Sequence, residues 1–316
     1  MKDWMGRELN YLRLSLTERC NLRCIYCRDV NSHCSGKNEL TYEELRVLMD
    51  AMVQLGVKKI RLTGGEPLVR KDLEQIVAQT ASYPEVRDIS MTTNAQGLAD
   101  RIDALKAAGL KRINISVDSL KDSVNSEMTR GGDLREVLKG AERALHLGMS
   151  VKFNVVPIYG KNDSEIDDFV ELARNYPIDV RFIELMPFPW PGRSPEKGMS
   201  SAAILAAHPE RHPVQSRDAA QPAEEYRGEG FAGRIGLISP ISHKFCSRCN
   251  RLRITSEGRL RLCLGQNDET DIRPFIPEGS EAVREKIYEA AFHKPEQHAF
   301  ETSGWSASRQ MNQIGG

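Results

Sequence analysis

From about residue 11 to residue 185 the chain alternates two hydrophobic rhythms. Runs rich in Ile, Val, Phe and Leu at 11–16, 58–63, 88–93, 112–117, 150–156 and 179–185 predict β-strands. Amphipathic stretches between them predict helices over 41–55, 98–108, 134–147 and 164–175. Gly56, Gly109 and Gly148 each follow a helix just before the next strand, as helix-ending glycines do. Strand–helix units in succession imply a parallel sheet with right-handed crossovers, its strands covered by helices. Six such units are too few to close an eight-fold barrel. The expected fold is therefore α/β, an open partial (βα)6 barrel, with function at the C-terminal ends of its strands.

The rhythm breaks near Pro187. Residues 187–234, rich in Pro, Gly, Ala and Ser, read as a linker or excursion. Beyond them come a β-like stretch at 234–238, a helix over 281–293 and a polar tail ending Ile314-Gly315-Gly316. Two regions are expected, a barrel over 1–186 and a C-terminal extension over 187–316, with no internal repeat besides the βα period. Gly228-Glu-Gly230-Phe-Ala-Gly233 fits G-x-G-x-x-G but leads into a β-like stretch, not a helix, so it lacks the context for dinucleotide binding. There is no G-x-x-x-x-G-K-[ST] either, so a nucleotide would not be held by a P-loop.

Composition is that of a globular protein, 40% hydrophobic and 28% charged, over 316 residues. Lys+Arg and Asp+Glu are both 44, so overall charge argues for neither a nucleic acid nor a membrane as partner. No apolar run is long enough to span a bilayer, and residues 1–10 are polar and too short for a signal peptide. A cytoplasmic protein is expected, in which the sequon Asn162-Asp163-Ser164 carries no weight.

Cysteine placement changes the picture most. Seven cysteines fall into two triplets, Cys20/Cys24/Cys27 and Cys246/Cys249/Cys263, with Cys34 left over. An odd number in tight groups without a secretion signal argues for metal thiolates in a reducing compartment rather than disulfides. A structural zinc site needs four ligands, and a cubane iron–sulfur cluster one per iron. Each triplet is one thiolate short, and a cluster held by three leaves an iron open to a small molecule. Zinc readings remain for both, completed by His33 or Cys34 at the first and by His243 at the second. Tyr26 stands where an aromatic side chain would line the open iron.

Thr63-Gly64-Gly65-Glu66-Pro67 ends the second strand. Its glycines open the backbone to a ligand, and Glu66 is placed to pair with a ligand ammonium. Around the second triplet lie Lys244, Arg248, Arg251, Arg253, Arg259 and Arg261 against Glu257 alone. In a chain of zero net charge this local excess implies an anionic partner, phosphate or a planar ring.

Cys-x3-Cys-x2-Cys with an aromatic before the last cysteine, followed after the next strand by Gly-Gly-Glu-Pro, resembles the radical S-adenosylmethionine superfamily. The resemblance implies a [4Fe–4S] cluster on Cys20, Cys24 and Cys27, with the amine and carboxylate of S-adenosylmethionine on the fourth iron and Gly65-Glu66 beside that amine. Phe245-Cys246-x-x-Cys249-Asn250-Arg251-Leu252-Arg253, Cys263 and Gly315-Gly316 narrow it to the GTP 3′,8-cyclase family of molybdenum-cofactor biosynthesis. Leu12-Arg-Leu-Ser-Leu-Thr17, Ile60-Arg-Leu-Thr63, Thr92-Thr-Asn94, Ser116-Val-Asp-Ser119, Phe182-Ile-Glu-Leu-Met186 and Ser239-Pro-Ile-Ser242 extend it over essentially the whole chain.

This resemblance implies a second [4Fe–4S] cluster on Cys246, Cys249 and Cys263, completed by GTP. It implies that Tyr26, Gly65, Ser116 and Met186 line the S-adenosylmethionine site, and that Arg13, Arg61, Thr92, Lys152, Arg251 and Arg253 contact GTP. Arg251, Arg253 and the Gly315-Gly316 tail, threaded into the active site, form its catalytic centre. The implied reaction uses a 5′-deoxyadenosyl radical to take the 3′ hydrogen of GTP, after which C3′ bonds to C8. Implied partners are an electron donor of flavodoxin or ferredoxin type and, downstream, the cyclic pyranopterin monophosphate synthase; a homodimer is one assembly it admits. Apolar neighbours alternate with Arg13, Arg61, Ser116 and Lys152, as inward-pointing strand positions require, and less clearly with Thr92. Arg28-Asp29 stands where the family often has Met-Pro. Other readings are a peptide-modifying radical enzyme with an auxiliary cluster, a two-cluster electron carrier and a zinc-dependent binding module.

Overall fold

The computed structural model describes the chain except residues 30, 33, 189–196, 209–210, 216–219, 302–307 and 316. Six parallel strands follow one another in sequence and in space: β1 (Tyr11–Ser15), β2 (Lys59–Thr63), β3 (Asp88–Thr93), β4 (Arg112–Ser116), β5 (Ser150–Val155) and β6 (Ile178–Ile183). Helices α1 (Tyr42–Gln54), α2 (Leu73–Ala81), α3 (Ile102–Ala107), α4 (Asp122–Thr129), α5 (Leu134–His146) and α6 (Ile166–Asn175) run between them. Helix α1 begins on a reciprocal cap: Thr41 Oγ1 accepts from the Glu44 amide, and the Glu44 carboxylate accepts from the Thr41 amide.

The strands alternate because their two faces meet different surroundings. Leu12, Leu14, Ile60, Leu62, Ile89, Met91, Ile113, Ile115, Val151, Phe153, Val180 and Phe182 are all buried in one core on the helix-covered face. The intervening residues share the other face and are largely polar. Register sets Arg13 beside Arg61, Arg61 beside Ser90, and Ser90 beside Arg112. Thr92 pairs with Asn114, and Asn114 with Lys152, which puts Thr92 on this polar face. The barrel interior is thus chemically prepared for a polar ligand.

Residues beyond 186 add strands to both edges of the same sheet. The short helix α7 (Ser201–Ala206) precedes β7 (His212–Val214), β8 (Glu224–Arg227) and β9 (Ile235–Ile238); then come β10 (Arg251–Ile254), β11 (Arg259–Arg261), β12 (Thr270–Asp271), α8 (Ser280–Phe292) and α9 (Met311–Ile314). The order across the twelve-stranded sheet is β12-β11-β10-β1-β2-β3-β4-β5-β6-β9-β8-β7. Strand β9 runs parallel to β6 and β10 parallel to β1, so the six expected parallel strands gain one more on each side.

Two sequence expectations change here. The stretch 187–234, expected as linker or excursion, contributes α7 and the antiparallel pair β7–β8 alongside β9. The run Arg251-Leu-Arg-Ile254 is a strand as well as a basic cluster. Its leucine and isoleucine are fully buried, while Arg251 and Arg253 pair in register with Tyr11 and Arg13. Among the described residues no helix is long and apolar enough to cross a membrane.

Candidate active site

The polar interior of the barrel encloses a cavity of about 290 Å³ that reaches from the loop after β1 to the turn before β10. All six triplet cysteines line it, together with Arg13, Arg61, Thr92, Ser116, Met186, Arg251 and Arg253. Residues some 220 positions apart in sequence therefore meet in one space. The reason is topological: β10 runs parallel to β1, the first triplet follows the end of β1 and the second surrounds the start of β10, so the two triplets face each other across the polar interior of the barrel.

The first triplet sits on the loop after β1. That loop is stitched to the end of α4, where the Arg23 and Ile25 amides donate to Thr129 and Met128 at 3.1 and 2.9 Å. Burial pushes the Cys20 and Cys24 thiols up, and Cys27 to about 12. Such thiols are poor nucleophiles, and a metal that binds here must displace protons held in place by burial. Arg28 and Asp29, the departure from the family pattern, brace the loop. The Arg28 guanidinium donates to the Cys20 carbonyl and the Cys34 sulfur, each at 3.4 Å, and the Asp29 amide donates to Gln310 at 3.2 Å. Cys34 accepts also from Asn312 at 3.0 Å and does not line the cavity.

The two glycines after β2 are fixed by close approach. A Cβ on Gly65 would lie 2.3 Å from the Arg19 carbonyl oxygen and 2.5 Å from that of Glu18; one on Gly64 would lie 2.5 Å from that of Thr17. Glu66, 1% exposed, accepts from Thr93 Oγ1 (2.7 Å), the Asn94 amide (2.6 Å) and the Leu68 amide (3.0 Å). Burial raises its carboxyl to about 7 despite these donors. Glu66 thus locks the ends of β2 and β3 together while still lining the cavity. Tyr26 donates to Asp118 at 2.7 Å, and Asp118 accepts from the Val156 amide at 2.9 Å. Burial pushes Asp118 up to about 6.

The second triplet lies around β10 and β11. Burial would raise Cys249, but the Arg251 and Lys294 charges outweigh it and bring the thiol down to about 6. Cys263 is raised by burial. Lys294, 2% exposed, donates to the carbonyls of Arg251 (2.9 Å) and Leu262. Arg7, ion-paired to Asp3 at 2.6 Å, spreads its guanidinium over the carbonyls of Cys246, Lys294, Pro295 and Glu296. The N-terminal segment is thereby clamped onto the second cysteine loop. The Arg251 guanidinium stacks over the Phe245 ring at 4.8 Å.

Arg253, Arg13 and Arg61 are neighbours in register across three adjacent strands. Like charges directly opposite one another destabilise a sheet. Burial, then the Arg13 and Arg251 charges, hold Arg253 well below the usual guanidinium range, and burial brings Arg61 to about 10. Arg13 Nε and Arg251 Nη2 are buried without hydrogen-bond partners. This is the electrostatics of a site completed by an anion.

Gly315 is buried between strand ends, its carbonyl accepting from Arg253 Nη1 at 2.9 Å. A Cβ there would lie 2.8 Å from Thr63 Cγ2 and 3.1 Å from Ser15 Cβ, and φ is +68°. Helix α9 fastens the tail to the first triplet: the Met311 amide donates to the Cys27 carbonyl at 3.2 Å, and Asn312 donates to the Glu18 carbonyl at 3.0 Å. Gly316 lies outside the described residues.

Of the residues singled out from sequence, Lys152 stands apart. It does not line the cavity; it donates to Asp179 at 2.5 Å and lies 4.0 Å from Glu225. Sequence reasoning missed Arg7, Asn94, Asp118, Lys294, Asn312 and His298. Asp118 stands within the quoted Ser116-Val-Asp-Ser119, so a polar residue at a strand end was a usable signal. Arg7 and Lys294 act through backbone carbonyls, and nothing in sequence marks such partners.

The donor chemistry fits clusters. Among the described residues no three His, Cys, Asp or Glu side chains are grouped to hold a single metal ion. A cubane does not ask for that, since each thiolate binds a different iron.

The Radical SAM superfamily profile matches residues 14–173, and that of Molybdenum Cofactor Synthesis C matches residues 178–300. The chain is similar to the GTP 3′,8-cyclase of Clostridium botulinum strain Langeland, 44% identical with all of both chains covered. It is also similar to that of Alkaliphilus oremlandii (44%, all of both chains) and that of Listeria welshimeri (42%, 100% of this chain and 99% of the relative). Among solved structures, Streptococcus suis SuiB bound to S-adenosylmethionine matches with a TM-score of 0.61 at 14% identity, over 98% of this chain and 78% of SuiB. A further SuiB structure, bound to the precursor peptide SuiA, matches with a TM-score of 0.58 at 15% identity. The SuiB likeness is one of fold.

Proposed function

Because the chain belongs to the radical S-adenosylmethionine superfamily and, within it, to the GTP 3′,8-cyclase family, we propose that the cavity is the place where GTP closes a bond between its C3′ and C8. The chain is an enzyme of molybdenum-cofactor biosynthesis. The observation that carries the assignment is the meeting of two cysteine triplets and a row of arginines in one cavity. Full-length relationship at 44% to GTP cyclases, against 14% to SuiB, favours a nucleotide over a peptide substrate.

In this reading Cys20, Cys24 and Cys27 hold one [4Fe–4S] cluster, and Cys246, Cys249 and Cys263 hold another. When bound, the first cluster with S-adenosylmethionine supplies the 5′-deoxyadenosyl radical that takes the 3′ hydrogen. The chain's own residues bind and orient. Tyr26, Gly65, Glu66, Ser116 and Met186 form the S-adenosylmethionine side, where the Glu66 carboxyl and the glycine backbone face its polar end. Arg13, Arg61, Thr92, Arg251 and Arg253 form the GTP side and supply positive charge before the substrate arrives, so little reorganisation remains to be done. Lys152, level with Thr92 on the same polar face, is ion-paired to Asp179 and would reach GTP from beside the cavity. Arg253 also holds the Gly315 carbonyl, so the tail closes the space between the two sides and keeps water out. An external electron donor of flavodoxin or ferredoxin type feeds the first cluster. The cyclic pyranopterin monophosphate synthase takes the product.

Anaerobic iron and sulfide analysis tests the ligand assignment: about eight iron atoms and about eight sulfides per chain are expected. Stoichiometric zinc without sulfide overturns it. Arg251→Ala should weaken GTP binding by about tenfold or more, because a charged hydrogen-bonding group is lost from a buried anion site. Both clusters should persist; loss of iron from this variant would make the arginine structural instead.

A further inference from the structure

His298 lines the cavity from the stretch after α8. It packs on the loop that follows Cys263: the Ala299 amide donates to the Gly265 carbonyl at 3.0 Å, and a Cβ on Gly265 would lie 2.9 Å from the His298 Cβ. The imidazole is fixed on two sides. Its Nε2 lies 2.7 Å from the Pro240 carbonyl oxygen, and its ring rests 4.8 Å from the Phe300 ring. A carbonyl only accepts, so Nε2 carries a proton, and in the Nε2–H tautomer the lone pair of the ring is on Nδ1. That Nδ1 is buried and has no hydrogen-bond partner in the chain.

A buried acceptor left unpaired is costly unless a ligand pairs with it. The neighbouring polar groups are mostly donors. Arg251 Nη2 is itself unpaired, and Arg253 and Lys294 line the same space. Donors suit phosphate and carbonyl oxygens but cannot receive a base amino group. The guanine edge carries both kinds, an O6 acceptor and an N2 amino donor.

We infer that His298 is a specificity-determining residue, whose Nδ1 accepts a hydrogen bond from the exocyclic amino group of the guanine base. The inference rests on GTP being the substrate. Hypoxanthine has the same shape but no amino group, so its nucleotide leaves Nδ1 unpaired. A site built around a buried acceptor rejects the ligand that lacks the matching donor.

The test uses the full-length, cluster-loaded protein and two probes, GTP and inosine 5′-triphosphate, with anaerobic equilibrium dialysis and iron analysis as readouts. In His298→Gln the side-chain amide can still donate to the Pro240 carbonyl, but the Nδ1 acceptor is gone. The wild-type protein should prefer GTP by about tenfold or more, and His298→Gln should lose that preference chiefly by weakening GTP, with inosine triphosphate changed less than about threefold. His298→Asn, which can return an acceptor near the Nδ1 position, should recover part of the preference. Iron content should be unchanged in both variants. Equal weakening of both nucleotides, or loss of iron from His298→Gln, overturns the inference. Wild-type protein that binds neither nucleotide overturns the GTP reading and this inference with it; a preference that survives His298→Gln overturns this inference alone.

Discussion

Cys24→Ala should abolish formation of 5′-deoxyadenosine and remove about four of about eight iron atoms, while GTP affinity stays within about threefold of wild type. The asymmetry follows from where the parts lie. Cys24 sits on the loop after β1, tied to the end of α4 through the Arg23 and Ile25 amides. The GTP side is carried by β1, β2, β3, β10 and the second triplet, none of which depends on that sulfur. The mirror variant, Cys249→Ala, should lose a similar amount of iron and most GTP affinity, but keep S-adenosylmethionine binding. Iron analysis and dialysis of GTP and of S-adenosylmethionine read the two variants side by side. If either variant loses both binding functions together, the two triplets are not separate sites with separate ligands.

The second large effect belongs to Gly65→Ala. A methyl group would sit within 2.6 Å of three backbone atoms of Glu18 and Arg19, and backbone cannot swing aside as a side chain can. The Gly65 amide donates to Thr17 and the Glu66 amide to Arg19, so the displacement runs directly into Cys20 and Glu66. Overpacking of this kind costs about 1–3 kcal/mol of stability. Misplacement by about 1 Å near reacting groups costs on the order of 100-fold in rate. Turnover should therefore fall at least 100-fold, on the order given for such displacements, with a smaller loss of S-adenosylmethionine affinity. Gly148→Ala is the control: a Cβ there meets nothing within 4 Å, and its φ of +71° costs about 1–2 kcal/mol, far from the cavity. It should keep wild-type turnover. Normal turnover in Gly65→Ala would mean that the turn yields more easily than its geometry implies.

Much of the barrel was legible because two requirements coincide in its strands. Leu12, Leu14, Ile60 and Leu62 must face helices while Arg13 and Arg61 must face the cavity, and the alternation follows from that alone. The same rule hid β10. In Arg251-Leu-Arg-Ile254 the outward pair is short and the inward pair conspicuous, so charge masked a strand. Helix α4 escaped for the opposite reason. Its Asp-Ser-Val-Asn-Ser-Glu-Met-Thr sequence has too few apolar residues to form a stripe, and it buries Asn125, Met128 and Thr129 instead. Thiol spacing and the Gly-Gly-Glu-Pro turn stand out in sequence because they are local. The clamp from Arg7, the Lys294 contacts and the orientation of His298 are long-range and made to carbonyl groups, which every residue carries. No pattern of side chains announces them.

The central claim is that one cavity couples radical generation to GTP. Anaerobic incubation with dithionite, S-adenosylmethionine and GTP deuterated at C3′ tests it most directly. The prediction is that 5′-deoxyadenosine forms in a GTP-dependent manner and carries the deuterium, with the cyclised nucleotide appearing alongside it. No 5′-deoxyadenosine, or the same amount of unlabelled 5′-deoxyadenosine with and without GTP, would contradict the account.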